Sequence, residues 1–234
     1  MLVCFICTKQ AVAQYTDQDI IDVFNKSQAQ FVDNSDYKVA LEYTLYRNKK
    51  EPITIDKYLG VLIKKDKDTY VKINTTEMLT TGSTFIKINH KQKAMEYTTI
   101  NDNTLIQNPI AIENYLKYFA TKKMSIEDNS ITCVLTVPKL TQLPYGSITL
   151  TFNKQTYSLQ KQTIELVTPG RIKDEKGEYN NSRKFLEIKI KKVEDHPVIG
   201  NELNIDSYVD TNSSQLQPIK KYNSYRLINR NTNK

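Results

Sequence analysis

The sequence predicts an α+β protein, a large antiparallel sheet accompanied by two or more helices, and three observations predict it. Segments that alternate apolar and polar side chains with period two recur along most of the chain, as half-buried strands do. The connections between many of them are short and polar, which favours hairpins over crossovers. Two other segments carry apolar residues at helical spacing.

The N-terminus stands apart. The apolar run Leu2-Val3-Cys4-Phe5-Ile6-Cys7 leads to Ala11-Val12-Ala13 and Gln14. A small, apolar, small pattern after a run too short to span a bilayer reads as the end of a signal peptide over residues 1–13. The mature protein is therefore expected outside the cytoplasm. No Lys or Arg precedes the run, so the true start is expected upstream of Met1. Cleavage would leave Cys133 as the only thiol and exclude an intramolecular disulfide.

Thr16 precedes Asp17 and Asp19, and Ile20, Val23, Phe24 and Phe31 follow at near-helical spacing. The pattern predicts a capped amphipathic helix over about Asp17 to Phe31, with carboxylates at the positive end of its dipole. The period then changes to two, and Tyr37, Val39, Leu41, Tyr43 and Leu45 mark a strand to Tyr46. Strands are predicted next over Lys57 to Lys65 and Thr69 to Ile73 as a hairpin, at Glu77-Met78-Leu79, over Phe85 to Asn89, and over Ala94 to Thr98. Asn108-Pro109 then reads as the cap and first turn of a second helix, with Ile112, Tyr115, Leu116 and Phe119 as its stripe.

Strands resume at Ile131 to Val137, where Cys133 shares the apolar face and reads as a core thiol rather than a nucleophile. They continue at Ser147 to Asn153, and then from Gln155 to Val167. The apolar parity shifts between Leu159 and Ile164, so a bulge or turn is expected near Lys161. After the polar tip Asp174 to Glu178, Phe185 to Val193 alternates again. Residues 14–196 are thus expected to form one β-rich domain. Residues 197–234, rich in Asn and Ser, are expected to be an extension rather than a core element.

The formal charge of +7 and fifteen Tyr suit a nucleic-acid binder, but the lysines are spread over polar strand positions and turns, where a solvated face is the default. The densest basic and aromatic stretch, Lys220 to Arg226, is explained by a flexible surface tail. Only two histidines are present. His90 sits in a hairpin turn, where exposure is expected, and Glu194-Asp195-His196 lacks a second cluster to complete a metal or acid–base site. Phosphate-binding glycine loops, nucleophile elbows and zinc-binding helices are absent. Glu77 and Glu127-Asp128 could form a glycosidase pair, but nothing in the sequence sets their separation. No segment is long and apolar enough to cross a membrane as a helix.

The order of elements, a first helix ending at Phe31, the strand Tyr37 to Tyr46, the pair Tyr58 to Ile63 with Thr69 to Ile73, then Ile86 to Asn89, Ala94 to Tyr97, the helix from Pro109 and the strand Ser147 to Asn153, resembles the LolA/LolB-like fold. The resemblance covers about Asp17 to Val193. It implies a curved sheet, an open half-barrel wrapped around helices, and a non-enzymatic periplasmic protein without a cofactor. That protein would hold lipid or lipoprotein acyl chains against the concave apolar face. Candidate lining residues are Val39, Leu41, Val71, Ile73, Ile86, Ile88, Ile148 and Leu150. Two other functions compete with this one. The first is an envelope-complex scaffold docking through strand edges or the tail. The second is an exported hydrolase using Glu194 and Asp195.

Overall fold

The computed structural model describes residues 15–32, 36–100, 116–139, 143–173, 179–195, 198–213 and 215–232. The expected signal segment, His196 and residues 101–115, which hold most of the second predicted helix, lie outside them, while Leu116 and Phe119 of its stripe are described and buried. Among the described residues one α-helix is given in full, α1 (Asp17–Val32). A single large sheet of twelve strands dominates the rest.

Thr16 caps α1 reciprocally. The Asp19 amide donates to Thr16 Oγ1 at 3.2 Å, and the Thr16 amide donates to Asp19 Oδ2 at 2.7 Å. Two orphan donors of the first turn are satisfied, and the Asp19 carboxyl is held below its ordinary pKa by its hydrogen bonds to Thr16.

Six strands follow as a meander: β1 (Asp36–Arg47), β2 (Ile53–Lys65), β3 (Asp68–Ile73), β4 (Thr76–Thr81), β5 (Thr84–Asn89) and β6 (Ala94–Thr99). A second meander comprises β7 (Thr121–Glu127), β8 (Ser130–Thr136), β9 (Tyr145–Asn153), β10 (Leu159–Lys173) and β11 (Tyr179–Asp195). The two join through β1 and β11, which pair antiparallel along most of β1. Turns are closed by Asn48, Asp66, Asn74 and Asp128, all with positive φ, a conformation in which Asn and Asp side chains are enriched.

Most predicted strands are found, and the expected irregularity near Lys161 is a register shift between Leu159 and Lys161. β7 was not anticipated, although Met124 and Ile126 alternate with Lys123, Ser125 and Glu127.

The larger difference concerns the tail. Residues 198–213 and 215–232 are not a loose extension. A two-residue pair, β12 (Val209–Asp210) with β13 (Gln217–Pro218), and short 3-10 turns cover the sheet. β14 (Arg226–Asn229) then adds to the β6 edge in parallel. Tyr208, Val209 and Tyr222 are buried.

Two large cores result, and they occupy opposite faces. Residues opposite one another in a ladder share a face. Cys133 pairs with Leu150, and Leu135 with Ile148, so these residues share the face on which Ile20, Val23 and Phe24 of α1 pack. Following the ladders across β10, β11, β1 and β2 places Val71 on that same helix-bearing face. Tyr70, Leu79 and Ile86 form a continuous row on the other face, and that row lies under the tail.

Candidate functional site

The register divides the eight candidate residues. Ile148 and Leu150 of β9, Val39 and Leu41 of β1, and Val71 and Ile73 of β3 lie on the helix-bearing face. Ile86 and Ile88 do not. They are 0% and 1% exposed on the opposite face, in the core that contains Tyr208, Val209 and Tyr222.

The six form part of a stripe that crosses the sheet. Ile148 stands opposite Ile164, Ile164 opposite Leu186, and Leu186 opposite Leu45. In a neighbouring row Ile190 faces Leu41, Leu41 faces Gly60, and Gly60 faces Ile73. Val39, Leu62 and Val71 make a third row. Leu150 belongs to the core packed against α1, and Ile190 touches both that core and the smaller cluster of Tyr37, Val39 and Leu62. Leu41, Val71, Ile73 and Ile148 are only half-buried. The stripe is thus closed over by α1 at the β8–β9 end and more open across β1 and β3.

Tyr43 and Tyr58 stack in this stripe with ring centroids 5.1 Å apart. Gly60 makes room for them, since a Cβ there would lie 2.7 Å from Tyr43 Cε2 and 3.1 Å from the Lys72 carbonyl oxygen. Burial raises the pKa of both tyrosines, so they stay neutral near pH 7. The surface they offer is an apolar one with two hydroxyls.

A polar cluster occupies the tail-bearing face. Glu77 is buried, and its Oε1 lies 2.9 Å from His90 Nε2 and 3.0 Å from Lys72 Nζ. His90 Nδ1 lies 2.9 Å from the Tyr225 hydroxyl. His90 is therefore not a free turn residue as expected, because the tail folds back over the turn and brackets the ring. Burial is the largest influence on Glu77 and would raise its pKa, but Lys72 and His90 outweigh it and hold the carboxyl below its ordinary value. Burial first, and the Glu77 carboxylate next, push the Tyr70 hydroxyl far up. Sequence reasoning missed this cluster, since its members lie on β3, β4, a turn and the tail.

The other chemical candidates do not assemble. Cys133 is fully buried, and burial pushes its thiol up to about 12, as a core cysteine requires. Glu127 and Asp128 lie exposed at the end of β7, an edge strand of the sheet, whereas Glu77 is in β4 beyond the central strands, so no glycosidase pair forms. Among the described residues no group of three or more His, Cys, Asp or Glu side chains gathers as metal ligands. A cavity of about 430 Å³ opens among tail loops and is lined by Asp206, Asp210, Asn212, Gln217 and Lys220 among others. It is polar and stands apart from the apolar stripe. Among the described residues no helix is long and apolar enough to cross a membrane.

No protein-family model matches the sequence, and no curated protein does. Comparison with solved structures finds fold-level likenesses. An uncharacterized conserved protein from Thermus thermophilus is similar at 9% identity with a TM-score of 0.46, over 91% of this chain and 100% of that one. A LolA superfamily protein is among the matches. It comes from Nitrosomonas europaea and is similar at 12% identity with a TM-score of 0.36, over 80% of this chain and 97% of its own. LprF from Mycobacterium bovis is similar at 12% identity with a TM-score of 0.39, over 80% and 97%.

Proposed function

We propose that this chain is a non-enzymatic, exported, periplasmic binding protein that holds lipid or lipoprotein acyl chains along the helix-bearing face. The observation that carries the reading is the largely apolar stripe from Ile148 to Ile73, interrupted by Gln162 opposite Leu150, in which Leu41, Val71 and Ile73 are half-buried beyond α1. From β9 to β3 the sheet order crosses five strand intervals, about 24 Å at roughly 4.8 Å each. One leaflet of bilayer hydrocarbon is about 15 Å thick, half of a core of about 30 Å. An acyl chain of ordinary membrane length can therefore lie across the strands within the stripe. Each methylene removed from water there contributes about 0.8 kcal/mol.

The test is native mass spectrometry of the protein purified from its own host, with lipid extraction of any adduct, followed by titration of the delipidated protein with a fluorescent fatty acid. A stoichiometric acyl adduct and saturable uptake are expected. Leu41→Glu should weaken uptake by about tenfold or more, the loss of roughly two methylene contacts. A clean apo mass together with no saturable uptake would overturn the proposal.

A second reading, a scaffold docking onto an envelope partner, is favoured by one feature of β2. Its first seven residues lie beyond the β3 ladder, which begins at Gly60, and all but Ile55, which sits at a register shift, are paired with β1. Ile53, Ile55 and Leu59 are 51%, 44% and 69% exposed there, and an open apolar strand edge can add a partner strand. Charging Ile55 should abolish partner capture and leave fatty-acid uptake intact if this reading holds.

A further inference from the structure

We propose that the rim formed by the β5–β6 turn and the loop before β14 is a docking surface for an anionic phospholipid membrane. Lys91 and Lys93 belong to that turn, Lys220 and Lys221 to that loop, Arg226 is the first residue of β14, and all five are exposed. Sequence position separates the two groups by more than a hundred residues, but the fold fixes them together. The Arg226 amide donates to the Lys93 carbonyl oxygen at 2.9 Å, and His90 Nδ1 lies 2.9 Å from the Tyr225 hydroxyl. The patch is therefore tied to the sheet by hydrogen bonds and is not carried on a free tail.

None of the five cations is held in an ion pair among the described residues, although Lys221 feels the Glu77 carboxylate. The nearby carboxylates are engaged elsewhere: Glu77 is buried against Lys72 and His90, and Glu96 pairs with Arg230. Asp206 and Asp210 share a cavity lining with Lys220, so Lys220 marks the border of the patch and Lys91, Lys93, Lys221 and Arg226 its centre.

The kind of anion follows from the geometry. The cations stand on a turn, a loop and the first residue of β14, mostly as lysines, rather than converging as buried, bidentate arginines on one phosphate. Such an array suits many laterally distributed headgroups. Nucleic acid is disfavoured because base stacking needs free ring faces. Tyr222 is only 2% exposed, T-shaped against Tyr225 and stacked with Tyr208, and Lys221 Nζ sits 4.9 Å from its ring centroid. The proposal stands whether or not the stripe on the other face holds an acyl chain.

The experiment is co-sedimentation of the full chain with vesicles of phosphatidylglycerol mixed into phosphatidylcholine, against vesicles of phosphatidylcholine alone. Binding only to the anionic vesicles is expected, with loss as salt rises from about 0.1 M to 1 M and the screening length falls from about 10 Å to about 3 Å. Each cation near an anionic surface strengthens binding by about fivefold, so Lys93→Gln combined with Lys221→Gln should weaken it by about 25-fold. The control pair Lys65→Gln and Lys67→Gln, exposed at the β2–β3 turn, should bind as the parent does, and circular dichroism checks that each variant is folded. Equal binding to both vesicle types would overturn the proposal, as would an unchanged Lys93/Lys221 variant or an equal loss in the control pair. The stripe variant Leu41→Glu should still sediment with anionic vesicles, which separates this surface from acyl-chain uptake.

Discussion

Glu77 shows how one side chain ties the tail to the sheet. Its carboxylate is bonded to Lys72 and His90, and His90 in turn to Tyr225. The folded pKa is lowered from an ordinary value of 4.5, so its stabilisation is fully present above that unfolded value and is lost as pH falls through the folded pKa. Glu77→Gln should therefore be about 1.5–3 kcal/mol less stable than the parent near neutral pH, the range for hydrogen bonds to a charged group. That gap should close below about pH 4.5, as denaturant titrations across pH will show. Gly60 is a second case. Because a Cβ would lie 2.7 Å from the Tyr43 ring, Gly60→Ala should cost about 1–3 kcal/mol by overpacking and disturb the Tyr43–Tyr58 stack, visible in near-ultraviolet circular dichroism. At this scale the sequence was legible for Cys133 and for the cap at Thr16. It was not legible for Ile86 and Ile88, because β3 carries apolar residues on both faces, Tyr70 on one and Val71 and Ile73 on the other. Alternation therefore could not say which set continues into β5, and the β3–β4 and β4–β5 registers place Ile86 with Tyr70.

Among the elements, the tail departs furthest from expectation. Its short 3-10 turns and two-residue strands have no period for a sequence to display, yet Tyr208, Val209 and Tyr222 are buried. Tertiary packing, not local propensity, orders it. The parity shift that exposed the bulge near Lys161 is the opposite case, a local irregularity written directly in the alternation. Truncation before Val198 should uncover Leu79, Ile86, Ile88 and Met95, all 2% exposed or less, and yield a protein that binds hydrophobic dye and aggregates. A milder probe is Tyr222→Ala. Losing a buried aromatic costs about 3–5 kcal/mol, and at about 2–4 °C per kcal/mol for a chain of this size the melting temperature should drop by roughly 6–20 °C. A much smaller shift, measured by calorimetry, would show that the tail is only weakly held.

At the scale of the whole molecule, one sheet supports two large cores on opposite faces, and the antiparallel architecture was legible because repeated hairpin signals leave few alternatives. The two-sided arrangement was not, since it depends on which face the tail returns to. Its physical consequence is testable. Ile131 in β8 lies in the core against α1, and Ile86 in β5 in the core under the tail. Eight strand intervals separate them in the sheet order, about 38 Å at roughly 4.8 Å per interval, and they share no neighbours in the clusters that hold them. Ile131→Val and Ile86→Val should each cost about 0.5–1.5 kcal/mol. Sites so far apart without shared partners should add, so the double variant should equal the sum within about 0.5 kcal/mol in urea titrations. A larger deviation would mean that the cores communicate through the long central strands β1 and β11. Filling the stripe on the helix-bearing face would then also tighten the tail, and an acyl chain would change the affinity of the basic rim for a membrane. Additivity would mean that the two faces act independently and that cargo and membrane contact are separate properties of one sheet.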